Sequence, residues 1–190
     1  MKKKSLITIS LVLLALIFSA GLLARLYKKV PPKVAPVAKG RIAIVIDDWG
    51  YHLNNLGIIS QIKQPLTCAV LPNLKNTRAV AQKLHKLKIE IILHLPMQPK
   101  EKHRLEKDTI LTNMSVEKMR VILDKDLANV IFAKGVSNHM GSRITEDVNS
   151  SAMIMQEVKK HNLYFLDSFV TAKYVCAALA KKMGLSFAKR

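Results

Sequence analysis

The ten residues RIAIVIDDWG, Arg41 to Gly50, constrain the fold more than any other stretch of this chain. Five apolar residues, Ile42 to Ile46, run straight into two adjacent carboxylates, Asp47 and Asp48. A short apolar run rich in β-branched residues predicts a strand buried on both faces, as in a parallel sheet covered by helices. In such sheets the carboxyl ends of the strands open onto the functional crevice. Two like charges at that point repel each other, and a divalent cation or a shared proton is the usual remedy. A lone Asp there would read as a helix N-cap or a turn residue. A pair directly after a buried strand points to chemistry.

From Arg41 onward, strand and helix patterns alternate. Strands are predicted at Arg41–Ile46, Thr67–Leu71, Glu90–Leu95, Val130–Ser137 and Leu163–Leu166, with a sixth beginning at Leu185–Ala188. Helices are predicted at Asn54–Ile62, Thr77–Leu87, Ser115–Asn129, Asp147–His161 and Ala172–Met183, the last closed by Gly184. Pro65, Pro72 and Pro96 serve as stops, and residues 97–112 form a charged loop. Repeated strand–helix units predict an α/β fold with about five to six parallel strands, arranged as a sheet or barrel. Polar residues recur where strands end: Asp47 and Asp48, His94, Asn138 and His139, then Asp167 and Ser168. In a parallel sheet or barrel all of those ends share one face.

One Asp and two His make a half-shell for Zn²⁺ or a related metal, with an open position for water. A second carboxylate, free of ligation, can act as general base. His94 interrupts a buried strand end in IILHLP, and His139 sits in GVSNHMGS between Gly135 and Gly141. His52, His85, His103 and His161 read as exposed or loop residues and receive no role. Cys68 and Cys176 sit in apolar contexts without metal-ligand spacing, so both read as buried structural thiols.

The first part of the chain is built differently. Lys2, Lys3 and Lys4 precede an apolar stretch from Leu6 to Leu23, so residues 1–26 read as a signal peptide or membrane anchor. Residues 27–39, with Pro31, Pro32, Pro36 and several lysines, read as a stiff, solvated linker. The net charge of +18 is partly theirs, because residues 1–39 hold eight basic and no acidic residues. The domain over 40–190 keeps 23 basic and 13 acidic residues, and its basic residues are scattered over helical segments. Aromatic residues are only 5% of the chain, too sparse for a base-stacking platform, so no nucleic-acid partner is expected.

Six ordered blocks now carry a resemblance: IAIVIDDWG, LTCAVLP, EIILHLPMQP, KGVSNHMGSRIT, YFLDSFVTAK and GLSFAKR. Together they resemble the divergent polysaccharide deacetylase family, part of the superfamily of nodulation-type carbohydrate deacetylases. The likeness covers essentially all of residues 40–190. It implies a distorted (β/α) barrel and metal-dependent hydrolysis of an N- or O-acetyl group. It also implies Asp47 as catalytic base, and Asp48, His94 and His139 as metal ligands, most simply for Zn. The superfamily's second motif places two His four residues apart; here that spacing gives His94 and Gln98, so only His94 fits a ligand. Asp167 and Ser168, in the LDS block, would line the substrate pocket with Arg143 and Gln98. Thr145 would assist there or cap the helix that follows.

Family members continue through another strand and helix to a late histidine, whereas this sequence stops at Arg190. The resemblance therefore implies a C-terminally truncated, incomplete barrel with an unpaired edge, and a partner chain that could complete it. The function expected is removal of acetyl groups from an envelope polysaccharide or oligosaccharide, by a domain anchored at the inner membrane or secreted to the periplasm. The alternative is a non-catalytic glycan-binding or scaffold module of the cell envelope. A receiver-like phospho-acceptor would need Asp where His94 stands, and a haloacid-dehalogenase-type phosphatase would need one residue between its two Asp.

Overall fold

The computed structural model describes residues 13–23 and 40–190. Residues 13–23 form a helix, α1, within the apolar stretch; the basic start of that stretch and the linker over 27–39 lie outside the described residues. No helix among the described residues is long and apolar enough to cross a membrane.

The second unit, Ile42–Arg190, carries the fold. Its elements in chain order are β1 (Val45–Trp49), α2 (Leu56–Ile59), β2 (Thr67–Val70), α3 (Thr77–Lys86), β3 (Glu90–Met97), α4 (Val116–Asn129), β4 (Gly135–Met140), α5 (Val148–Lys160), β5 (Tyr164–Asp167), α6 (Cys176–Met183) and β6 (Phe187–Lys189). The six strands pair in sequence order, all parallel. The sheet is not closed into a barrel; β1 and β6 are its two edges among the described residues.

Period-two alternation divides the strand side chains between two faces. Cys68, Val70, Ile91, Leu93, Leu95, Met97, Val136 and Phe165 join the main core with Val80, Ala81 and Leu84 of α3 and Leu123 of α4. The other face holds a smaller apolar layer of Ala69, Ile92 and Leu166, with Val45 and Tyr164 packed against it. Below that layer, the Tyr164 hydroxyl donates to Glu90 Oε1 at 2.7 Å and Thr67 donates to the same oxygen at 2.9 Å. Gly135 makes room for this arrangement: a Cβ there would lie 2.7 Å from the Tyr164 ring.

Local signals explain most boundaries. Ser115 caps α4 by accepting from the Lys118 N–H at 3.2 Å, and Asp147 caps α5 by accepting from the Ser150 N–H at 2.7 Å. Thr145 is therefore not the cap; its hydroxyl donates to the Gly141 carbonyl. Gly184, at φ 60°, closes α6 in the left-handed conformation.

Three expectations are corrected. The first strand begins at Val45, not Arg41, and is only half-buried, with Ile42 92% and Ile44 53% exposed. The reason is its edge position: β2 covers one side and nothing described covers the other. Pro96 does not stop β3, because β2 ends at Val70 opposite Leu93 and Ile110 takes the vacated side, its N–H donating to the Pro96 carbonyl. The fourth strand starts at Gly135, because Val130 ends α4 and is buried in the core.

Candidate metal centre

Adjacent residues on a regular strand point to opposite faces. Asp47 and Asp48 escape that rule through a bulge. Ile46 pairs with Cys68 and Trp49 with Val70, so two residues of β1 stand against one of β2. Asp48 takes φ 62°, a left-handed conformation that Asp tolerates better than most residues. Both carboxylates consequently approach His94: Asp47 Oδ2 lies 3.8 Å and Asp48 Oδ1 3.4 Å from His94 Nε2.

His94 and Ser137 are register partners on β3 and β4, and His139 follows two residues later on the same face of β4. His139 Nδ1 lies 3.0 Å from Asp48 Oδ1. Asp48, His94 and His139 thus each offer a ligand atom within 4.8 Å of the other two. His94 is nearly fully buried, and its Nδ1 lies 2.8 Å from the Ser137 hydroxyl. With a cation bound, a proton on Nδ1 donated to Ser137 would leave the Nε2 lone pair to ligate it, the tautomer a metal ligand needs. Hydrogen bonds from His139 and then His94 hold the Asp48 carboxyl well below the usual carboxylate value, against the opposing effect of burial. One ionised oxygen ligand and two imidazoles, with Asp47 beside them, suit a Zn-class cation by donor chemistry.

Asp47 has a different partner. Arg190, just past β6, brings Nη2 to 2.6 Å from Asp47 Oδ1, across from one sheet edge to the other. The two neighbouring acids therefore have different principal partners, Asp48 the two imidazoles and Asp47 a guanidinium.

The four residues expected in the substrate pocket have separate fates. Gln98 uses Oε1 to accept from the Thr112 N–H at 2.9 Å and its hydroxyl at 3.1 Å, fixing the loop after β3. Ser168 is held twice by Asn138, its N–H donating to Oδ1 at 2.8 Å and its hydroxyl to the carbonyl at 2.9 Å. Asp167 is fully buried and turned inward; Oδ1 accepts from the Phe169 N–H at 2.8 Å, and burial pushes its carboxyl above the usual value. Arg143 is exposed at the start of the turn after β4. Ser137 and Arg190 were not singled out from sequence. Period-two spacing from His139 could have found Ser137; nothing local marks Arg190.

With this geometry in place, comparison with known proteins is informative. The divergent polysaccharide deacetylase family profile matches residues 44–190. An uncharacterized Escherichia coli K12 protein, YibQ, is 36% identical over 156 residues, covering 82% of this chain and 49% of that protein. An uncharacterized Haemophilus influenzae Rd protein is 32% identical over 148 residues, covering 78% of this chain and 53% of that protein. The chain thus spans about half the length of the curated relatives it matches. The crystal structure of the uncharacterized protein ATU2773 from Agrobacterium tumefaciens C58 superposes with a TM-score of 0.73 at 21% identity, covering 81% of this chain and 65% of that one. That likeness concerns the fold alone.

Proposed function

The chain belongs to the divergent polysaccharide deacetylase family, and from that premise we propose that it is a metal-dependent hydrolase that removes acetyl groups from a polysaccharide or oligosaccharide. The observation that carries this reading is the convergence of Asp48, His94 and His139 beside a second, separately held carboxylate, Asp47.

Asp48, His94 and His139 would hold the cation, which would supply a Lewis acid for the acetyl carbonyl and a more acidic water. Ser137 orients the His94 ring from behind, through Nδ1. Asp47, outside the ligand group yet 3.8 Å from His94 Nε2, takes a proton from the attacking water as general base. Arg190 holds Oδ1 of Asp47 and so fixes the direction of its other oxygen. Arg143 stays free to meet substrate polar groups.

Envelope placement belongs to the same proposal. It is supported by Lys2 to Lys4 and the apolar run from Leu6 to Leu23, a leader that would carry the domain to, or hold it at, the inner membrane.

The test is to purify the full chain, load it with Zn²⁺, and measure bound metal and acetate released from acetylated glycans. One equivalent of metal with acetate release is expected, both lost in Asp48→Asn. A folded chain that takes up no stoichiometric metal would overturn the proposal.

A further inference from the structure

Phe169 follows β5 in a conformation that a bulky side chain rarely adopts, with φ at 55°. Its neighbours enforce that conformation. Buried Asp167 accepts the Phe169 N–H, and Ser168 is bonded twice to Asn138, the residue before His139. The result is a phenylalanine 41% exposed, beside Val170 at 42%. Strained backbone that presents an apolar ring to solvent is not explained by packing, and such strain collects at functional sites.

The ring is backed on one side. Tyr174, which packs against the main core, meets it edge-on with centroids 5.2 Å apart at 85°. Lys189 Nζ stands 4.5 Å from the Phe169 centroid and 5.2 Å from that of Tyr174. The next residue, Arg190, pairs with Asp47, the candidate base. Beside Phe169 lies a cleft of about 250 Å³ lined by Pro99, Glu101, His103, Met140, Ser142 and Val170. Met140 directly follows His139 and is also left-handed, at φ 55°.

A pyranose ring has one apolar C–H face and a rim of hydroxyls. The Phe169 ring suits the first, and Glu101, His103 and Ser142 suit the second. We propose that Phe169, braced by Tyr174 and Lys189, is a stacking platform that holds a pyranose neighbouring the reacting sugar of the glycan, with the adjoining cleft taking its hydroxyl rim. This rests on the carbohydrate reading above and adds that recognition extends beyond the reacting sugar.

The test uses the full chain in detergent and the pentasaccharide of N-acetylglucosamine, with binding measured calorimetrically after metal is chelated, and acetate release measured after Zn²⁺ is restored. Stacking needs no metal, so the metal-free chain binds the pentasaccharide. Phe169→Ala weakens that binding at least tenfold, and Phe169→Tyr restores it. Phe169→Gly separates binding from folding, because glycine accepts φ 55° without strain: this variant melts no lower than the parent yet binds as poorly as Phe169→Ala. Equal binding by Phe169→Ala and the parent, or no binding by the metal-free parent, overturns the platform. Phe169-dependent binding without acetate release leaves the platform standing and removes the catalytic reading. Acetate release with an unchanged KM in Phe169→Ala does the reverse.

Discussion

At the amino end of the sheet face that carries the smaller apolar layer, Glu90 accepts hydrogen bonds from Tyr164 and Thr67, two neutral hydroxyls on strands β5 and β2. At the carboxyl end of the same face, Asp48 meets two imidazole nitrogens at 3.0 and 3.4 Å. Both places hold a carboxylate and strand side chains on one face. They differ in what the carboxylate's partners are able to do. Hydroxyls donate, and at the amino end they satisfy Glu90 from within. An imidazole nitrogen donates to a carboxylate when it carries a proton and offers a lone pair to a cation when it does not, so either protons or a cation complete this arrangement. The amino end is a self-contained hydrogen-bond cluster, and the carboxyl end is a group of side chains that could hold a metal ion.

The strongest way to break that contrast is to remove one charge at the carboxyl end. Asp48→Asn should abolish stoichiometric Zn²⁺ uptake, read by metal analysis after gel filtration, while leaving the circular dichroism spectrum unchanged. Asp47→Asn should keep the metal and lower kcat by about 10²–10⁴-fold, the usual loss for a general base. If Asp47→Asn loses the metal and Asp48→Asn keeps it, the two carboxylates have exchanged roles and the bulge has been misread. A smaller effect is expected from Ser137→Ala. Loss of the partner behind a ligating histidine should weaken Zn²⁺ about 10–100-fold, measured by competition with a chelator. Unchanged affinity would mean that Ser137 does not set the His94 tautomer.

Much of the carboxyl end was legible in the sequence, because its residues occupy the ends of recognisable strands. Asp47, Asp48, His94 and His139 needed only the strand order and the rule that parallel strand ends share a face. The bulge was not legible. It depends on the register of β1 against β2, and Asp48 alone carries no signal that it will take φ 62°. The Arg190–Asp47 pair joins residues at opposite ends of the domain, so no local pattern encodes it. The burial of β1 was over-read for a related reason: an apolar run cannot say whether a strand has one neighbour or two. At the amino end, neither Glu90 nor Tyr164 stood out, because a lone Glu opening a strand and a lone Tyr opening another are ordinary until Gly135 lets the ring cross between them.

Gly135 is accordingly the place to test the amino end. Gly135→Ala puts a Cβ 2.7 Å from the Tyr164 ring, which must move and give up its bond to Glu90. A loss of about 1–3 kcal/mol in urea unfolding is expected, with Zn²⁺ affinity unchanged. The gentlest probe is Tyr164→Phe, expected to cost about 1 kcal/mol by removing that one hydrogen bond. It also carries a pH signature. Burial, followed by the bond to Glu90, raises the Tyr164 phenol above the usual tyrosine value of 10.0. Between the unfolded and folded values the native state holds the extra proton, so this contribution to stability is complete below pH 10 and declines as pH rises beyond it. In metal-free protein, unfolding free energy should therefore fall more steeply above pH 10 in the parent than in Tyr164→Phe. Equal slopes would mean that the Tyr164 hydroxyl is open to water, and that the amino end is no more self-contained than the carboxyl end.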